Sequence, residues 1–264
     1  MIVALIDNGS LEPAAHRNLR TVAAALAARC DTHVHAVSWQ HSDRVALAAL
    51  GGAPAWTLTP FVRAMVALGQ REFVFVPFFI SAQGAIGSAL RHDLENLQRE
   101  VGGFEFAFTA GLAAQDAIPA IAAARIRETM AAHALRTPPI VVVDHGGPSP
   151  ASAELRDELA ARIRSRLAGE IGPLVAASME GHHPPLLAEQ LRTPEFAAHA
   201  AVVALLFLAP GRHAGPAGDI AALCRASPAH CHLSKLIGTH PLAIDALATA
   251  LRDTLPTLQV QSFA

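Results

Sequence analysis

Two histidines and one glutamate in the C-terminal half follow short apolar segments and lie in or beside glycine-rich loops. His145 stands in Asp-His-Gly-Gly, Glu180 follows Ala-Ala-Ser-Met, and His213 stands in Pro-Gly-Arg-His-Ala-Gly. Imidazole is the commonest metal ligand among side chains, and it titrates near neutral pH. Two imidazoles and a carboxylate suit a borderline divalent ion such as Fe2+, Co2+, Ni2+ or Zn2+. We therefore predict that these residues hold a metal and that they could also move protons.

The elements that must position these side chains are strands of a parallel sheet. Apolar runs of strand length alternate with amphipathic stretches of helix length, such as residues 151–167 and 242–251, which is the pattern of βαβα units. The apolar runs lack a period of two, as expected for strands covered by helices on both faces. In such sheets ligands bind beyond the carboxyl ends of the strands, and neighbouring strands lie about 4.8 Å apart. The three side chains could therefore converge on one ion.

The chain consists of two diverged copies of one sequence pattern, and the matching segments keep their order. The paired segments are IVALIDNGS (2–10) with IVVVDHGGPS (140–149), HAVSWQ (35–40) with VAASME (175–180), FVFVPFFIS (73–81) with VVALLFLAP (202–210), and TAGLAAQDAIPAI (109–121) with LIGTHPLAIDAL (236–247). The first copy carries an insertion near residues 46–56, which we expect to be a surface loop. The pair Pro138-Pro139 ends a helical pattern between the copies. We predict two lobes, residues 1–136 and 137–264.

Composition excludes several classes of protein. The chain of 264 residues is 52% hydrophobic and only 16% charged, which excludes a disordered or coiled-coil protein. Its apolar runs are too short for a membrane span, and its first residues lack the basic segment of a signal peptide. A net charge of −2 gives no basic field for nucleic acid. We expect a cytoplasmic protein with no membrane or nucleic-acid partner, whose three cysteines are reduced thiols.

These motifs resemble those of the sirohydrochlorin chelatases, the CbiX-like class II chelatases in their long, two-repeat form. The resemblance rests on the strand followed by x-His-Gly-Gly, the strand followed by Met-Glu, FLAPGRHAGPAGDI (207–220) and GTHPL (238–242). It implies an α/β fold of two tandem flavodoxin-like lobes that face each other across a cleft, each a four-stranded parallel sheet flanked by helices. It also implies a monomer that is an internal pseudo-dimer.

The resemblance further implies an activity and a set of site residues. The expected enzyme is a lyase that inserts Fe2+ or Co2+ into the tetrapyrrole sirohydrochlorin, for siroheme or cobalamin biosynthesis, with the metal as substrate and no organic cofactor. His145 and His213 would hold the metal and act on the pyrrole nitrogens, and Glu180 would assist. The eight substrate carboxylates favour Arg, His and backbone N–H donors. The predicted substrate-binding residues are Arg212, Ser149, Gly146 and Gly147 of the second lobe, with Ser10 and Arg91 of the first.

The first copy departs from this pattern. Asn8 stands where the second copy has His145, Gln40 stands where it has Glu180, and segment 81–90 contains no histidine. Amides form hydrogen bonds but cannot act as bases, so we predict one active centre, in the second lobe. A slipped alignment would instead bring His92 toward the corresponding position in the first lobe.

Other readings of the sequence stay open or are weaker. A non-catalytic carrier of tetrapyrrole or metal is the main alternative, and the set of His145, Glu180 and His213 argues against it. An α/β hydrolase lacks its G-x-S-x-G elbow. The run His230-Cys231-His232 resembles a ligand cluster, but alternation along a strand would place Cys231 on the face opposite to the two histidines. We expect that run to be structural.

Overall fold

The structure is a computed structural model that describes residues 1–80, 85–147, 149–181 and 183–261. It confirms the predicted α/β fold, with two parallel sheets flanked by helices. The strands are β1 Ile2–Asp7, β2 Val34–Ser38, β3 Trp56–Thr57, β4 Glu72–Pro77, β5 Glu105–Phe108, β6 Ile140–Asp144, β7 Leu174–Ser178, β8 Ala200–Leu205 and β9 His230–Leu233. The helices are α1 Pro13–Cys30, α2 Leu58–Ala67, α3 Ala85–Val101, α4 Ala117–Ala132, α5 Pro150–Arg166, α6 Leu187–Gln190, α7 Pro194–Ala197, α8 Asp219–Ala226 and α9 Pro241–Gln261.

The first sheet has the strand order β3-β2-β1-β4-β5, with every pairing parallel. Strand β1 is central, and Leu5 pairs with Ala36 on one side and Val76 on the other. Its inner residues are buried, which explains the absence of a two-residue period. The sheet has five strands where four were predicted, because residues Trp56–Thr57 at the end of the insertion pair with the end of β2.

The second sheet has the order β7-β6-β8-β9 and contains the four parallel strands that were predicted. Val142 of the central strand β6 pairs with Ala176 of β7 and Ala204 of β8. The loops that follow β6, β7 and β8 therefore leave the same edge of the sheet side by side. These loops contain His145, Glu180 and His213.

The two sheets have cores of different composition. The core of the first contains a group of buried phenylalanines, with the rings of Phe73 and Phe104 5.4 Å apart in an edge-to-face arrangement. The core of the second is mainly aliphatic, and its buried residues include Val141, Val203 and Phe196. Each large apolar side chain buried in this way contributes about 1.5–3 kcal/mol to folding. The order of the four strands that the two sheets share is thus maintained by two different sets of side chains.

The chain forms two compact units that do not follow the order of the repeats. The first unit contains residues 1–117 and the C-terminal segment from Pro241, and the second contains residues 118–240. Helix α9 packs on α1, where Arg29 pairs with Asp245. Helix α4 belongs to the second unit, where Arg125 donates to the carbonyl of Leu236 at 3.1 Å. The lobe boundary at 136/137 stays a prediction about the repeats, since the last helix of each copy packs with the other copy.

None of the helices in the described residues is both long enough and apolar enough to cross a lipid bilayer.

Candidate metal and catalytic site

Backbone pairing beyond strands β6 and β7 places His145 beside Glu180. The amide of Met179 donates to the carbonyl of Asp144 at 2.9 Å, and the amide of Glu180 donates to that of His145 at 3.2 Å. Gly146 makes this approach possible, because it has φ of +86° and a Cβ at its position would lie 1.8 Å from the carbonyl oxygen of Glu180. A side chain at this position would therefore force the two loops apart.

The buried side chain of Arg156 stabilises the same strand ends through hydrogen bonds. Arg156 of α5 is 2% exposed, and its Nη1 donates to Oγ of Ser178 at 2.8 Å and to the carbonyl of His183 at 3.1 Å. Ser178 in turn donates to Oδ1 of Asp144 at 2.6 Å. Burial raises the pKa of Asp144, while Ser178 and Arg156 favour its charged form. The chain of contacts ties the residue before His145 to the loop that contains Glu180.

His213 is positioned by a compact loop between β8 and α8. Gly218 allows this loop to close, since a Cβ there would lie 2.5 Å from the carbonyl oxygen of His213. The amides of Asp219 and Ile220 donate to the carbonyls of Arg212 and His213, both at 3.1 Å. The His213 side chain is 12% exposed. It therefore has little freedom to move.

The three predicted ligands come together at the edge of the second sheet. Nε2 of His145 lies 3.5 Å from Oε1 of Glu180, and Nε2 of His213 lies 4.0 Å from the same oxygen. One ligand atom from each residue lies within 4.8 Å of the others. Ligands about 2.1 Å from a tetrahedral ion are about 3.4 Å apart, so small side-chain movements would complete a coordination set. Convergence was predicted correctly, and the role of the three residues as ligands stays a prediction.

Polar contacts at Nδ1 favour, for each imidazole, the tautomer whose lone pair is on Nε2, the nitrogen that faces Glu180. Nδ1 of His145 lies 2.8 Å from the carbonyl oxygen of Gly146. A carbonyl can only accept, so this Nδ1 holds the proton. Nδ1 of His213 lies 2.9 Å from Oδ2 of Asp219, in contact but off the line of a well-formed hydrogen bond. The carboxylate favours a proton on that nitrogen as well, and both Nε2 atoms are then available to a metal or a proton.

Asp219 and Arg156 are two residues of this site that the sequence analysis missed. Asp219 is the first residue of α8, and it contacts both His213 and Arg212, whose Nε lies 3.2 Å from Oδ2. Asp219 lies within the segment 207–220 that carries the family resemblance, but an acid at a helix start is common for electrostatic reasons alone, so no role was predicted for it. Arg156 did leave a signal, because the repeat alignment places it opposite the buried Leu19 of α1. A charged residue on the buried face of one copy indicates a special environment.

The predicted substrate-binding residues of the second unit are neighbours of His145 and His213 in the chain. Arg212 has 78% of its side chain exposed, and Oγ of Ser149 lies 3.1 Å from Oγ of Ser152. The amide of Gly146 donates to the Asp144 carboxylate, so this amide is less available to donate to a substrate. Gly147 allows the chain to pass close to Ser152, since a Cβ at its position would lie 2.4 Å from that hydroxyl. Substrate contact by these four residues stays a prediction.

The corresponding strand ends of the first unit have the same backbone but other side chains. The amide of Gln40 donates to the carbonyl of Asn8 at 3.3 Å, and a Cβ on Gly9, at φ +85°, would lie 1.7 Å from the Gln40 carbonyl oxygen. Among the described residues, only the group in the second unit has the ligand geometry of a metal site. Residues 81–84, which belong to the segment aligned with His213, lie outside the described residues.

The remaining candidates of the first unit have local contacts. Ser10 accepts from the amide of Glu12 at 3.0 Å, and its own amide donates to Ser42 at 3.1 Å. The Arg91 guanidinium lies 5.0 Å from the centre of the Phe108 ring. His92 is exposed on α3 and belongs to no ligand group within the described part of the chain. A role of Ser10 and Arg91 in substrate binding stays a prediction.

Comparisons with known proteins agree with this description. A family model described as CbiX matches residues 2–129 and 139–254, one match for each repeat. No curated protein sequence matched the chain.

Solved structures show the same fold. SirB from Bacillus subtilis, solved with Fe3+, has a TM-score of 0.67 and 13% identity, with 99% of this chain and 98% of that chain covered. A second structure, with the same values, is the sirohydrochlorin chelatase SirB from Bacillus subtilis subspecies spizizenii in complex with cobalt. CbiX, described as the terminal enzyme for siroheme biosynthesis in denitrifying bacteria, has a TM-score of 0.65 and 17% identity, with 96% and 98% covered.

Proposed function

Because this chain belongs to the CbiX family, whose model matches both of its repeats, we propose that it is a sirohydrochlorin chelatase. It inserts a divalent metal ion, Fe2+ or Co2+, into the tetrapyrrole, so that the metal is a substrate and no organic cofactor takes part. The observation that carries the proposal is the convergence of His145, Glu180 and His213 within 4.8 Å at the carboxyl edge of the second sheet. The similar structures solved with Fe3+ and with cobalt support the choice of metals.

The reaction requires a site that binds a metal ion and also accepts protons. A free-base macrocycle loses two pyrrole N–H protons, the aquo ion loses waters, and the products are the metallated macrocycle and two protons. Neutral imidazoles are suited to both steps, since a ring nitrogen with a free lone pair binds borderline ions without holding them as thiolates would and can also accept a proton. The Nε2 atoms of His145 and His213 are the groups that would do this.

Glu180 lies between the two imidazoles and makes the pair suited to a dication. Its Oε1 is 3.5 Å from one Nε2 and 4.0 Å from the other. A carboxylate at this distance offsets the charge of the ion and of any imidazolium formed when a pyrrole proton arrives. The side chains of Glu180 and His145 are 55% and 57% exposed. A flat macrocycle can therefore approach them from solvent, while the less exposed His213 forms the inner side of the site.

Asp219 acts as a positioning residue for His213. Its Oδ2 lies 2.9 Å from Nδ1 of His213 and 3.2 Å from Nε of Arg212. Contacts of this kind fix the ring orientation of a histidine ligand. Arg212 directs its exposed guanidinium to solvent beside the ring, where a substrate carboxylate can pair with it.

An anaerobic metallation assay tests the function. Sirohydrochlorin is mixed with Fe2+ or Co2+, with and without the protein, and insertion is followed by the change in the absorption of the macrocycle. We expect the protein to accelerate insertion of at least one of the two ions. Binding of the macrocycle or the ion without faster metallation would indicate a carrier and would overturn the proposal.

A further inference from the structure

A second group of histidines lies toward the amino-terminal ends of the second unit's strands, away from the loops just described. His230 and His232 belong to β9, and His133 follows helix α4. The ring centroids of His230 and His232 are 4.7 Å apart, and those of His232 and His133 are 4.1 Å apart. Cys231, between the two strand histidines, packs instead against the apolar core. The alternation predicted for this run is therefore present, and it gathers three imidazoles on one face.

The strand register separates this group from the candidate active site. Ala200 of β8 pairs with His230, and Val202 pairs with both His232 and Ile140. His232 is therefore level with the first residue of β6, whereas His145 follows the last residue of that strand. At about 3.3 Å per residue, the five residues from 140 to 145 span roughly 16 Å along the sheet. One ion cannot be shared by both groups of side chains.

We propose that His133, His230 and His232 form a second binding site for a divalent transition-metal ion, with Zn2+, Ni2+ and Co2+ as the expected class. Two histidines at i and i+2 on a strand project on one face, and a third from a neighbouring element completes a set of three nitrogens. Three histidines with an open fourth position are an established arrangement for Zn2+, and imidazole also suits Ni2+ and Co2+. The fourth position would be filled by water.

The three histidines are accessible to a metal ion, and the two exposed rings can change rotamer. His133 and His230 are exposed and His232 is half-buried. The three do not yet form a ligand group as tight as that of His145, Glu180 and His213, so binding requires the exposed rings to turn about their side-chain bonds. Such rotamer changes are fast and inexpensive for exposed side chains. The rings of His133 and His230 both lie against that of His232, at centroid separations of 4.1 and 4.7 Å, so turning the outer rings can direct three nitrogens at one ion.

The first unit offers a matched control. His33 and His35 are also two residues apart, and their ring centroids lie 4.3 Å from each other. On its other side, His35 contacts the ring of Phe61, at 5.0 Å, instead of a third imidazole. This pair provides two nitrogens where the second unit provides three, so it should bind a divalent ion more weakly.

The test is a metal titration of the full chain with the candidate active site disabled. In the His145→Ala/His213→Ala protein we expect one Zn2+ or Co2+ per chain, measured by calorimetry and by the visible absorption of bound Co2+. Adding His133→Ala or His230→Ala should weaken binding by about tenfold or more and change the Co2+ spectrum. Adding His33→Ala/His35→Ala should leave both unchanged.

Two results would overturn this second site. One is a His145→Ala/His213→Ala protein that binds no ion, and the other is unchanged affinity after His133→Ala/His230→Ala. Both residues are exposed, so these substitutions should leave thermal unfolding unaltered, and His133→Gln/His230→Gln repeats the comparison with longer side chains. The titration does not measure metallation, so its outcome is independent of the proposed chelatase activity.

Discussion

The loops after β1 and β2 and those after β6 and β7 have nearly the same backbone but different chemistry. In each unit the second loop donates an amide to the carbonyl of the first, at 3.3 Å from Gln40 to Asn8 and 3.2 Å from Glu180 to His145. In each, a glycine at φ close to +85° allows that contact. Only the second pair places an imidazole and a carboxylate there. The backbone contact between the two loops is therefore independent of the side chains that would make the site reactive.

The largest effect expected from this comparison is on metallation by His145→Ala or His213→Ala. Each removes a group that binds the ion and accepts a proton, and we expect rates to fall by about a hundredfold or more. Asn8→Ala, at the position that corresponds to His145, should change the rate little, because its amide can do neither. Initial rates of metallation, at saturating sirohydrochlorin, measure the difference. Equal losses in all three proteins would mean that the first unit also contributes catalytic groups.

Substitution of Gly146 or Gly9 should have similar effects on stability but different effects on activity. Gly146→Ala and Gly9→Ala each place a Cβ less than 2 Å from a carbonyl oxygen at positive φ. We expect each to lower the free energy of unfolding by about 2 kcal/mol or more, measured by urea denaturation.

Metallation should respond to only one of these glycines. Gly146→Ala pushes Glu180 away from His145, whereas Gly9→Ala disturbs Gln40 and Asn8. We therefore expect a marked loss of rate from Gly146→Ala, assayed where both proteins are folded, and a smaller one from Gly9→Ala. Equal rates in the two variants would contradict the view that this backbone contact positions the reactive pair.

A smaller effect is expected from Asp219→Asn, which keeps the shape of the side chain and removes its charge. Residues that orient a histidine ligand typically change metal affinity by about 10- to 100-fold when altered. We expect an increase of this order in the KM for the metal, with a lesser change in the KM for sirohydrochlorin. Glu195→Gln is a matched control, because Glu195 is also an acid in the first turn of a helix of the second unit. Similar changes in both variants would indicate a general electrostatic effect.

The sequence predicted the main parts of this molecule where local rules apply. The apolar runs predict buried strands in parallel sheets. The convergence of His145, Glu180 and His213 follows because ligands bind beyond the carboxyl ends of such strands. Two features could not be predicted, because they depend on contacts between distant segments. One is the pairing of β3 with β2, and the other is that α4 packs with the second repeat and α9 with the first. The roles of Asp219 and Arg156 depend on contacts across 6 and 22 residues, to His213 and Ser178. Such contacts leave only indirect traces in a single sequence.

The last prediction concerns the aspartate that ends the first strand of each repeat. Burial raises the pKa of Asp7 to about 6 from an ordinary value of 3.8, although the Ser38 hydroxyl and the Gly9 amide lower it. Burial also raises the pKa of Asp144, but there Arg156 favours the charged form. Leu19 occupies the position of Arg156 in the first repeat and gives Asp7 no such partner.

A carboxyl whose pKa is raised by folding stabilises the native state most when it is protonated. The contribution of Asp7 is therefore fully present below about pH 4 and is lost as the pH rises through 6. We expect this group to lower the free energy of unfolding by about 2–3 kcal/mol between pH 4 and pH 7. Asp7→Asn, which cannot ionise, should remove that part of the slope when urea denaturation is repeated across this range. Asp144→Asn should remove less of it, and equal changes would mean that Arg156 does not distinguish the two strand ends electrostatically.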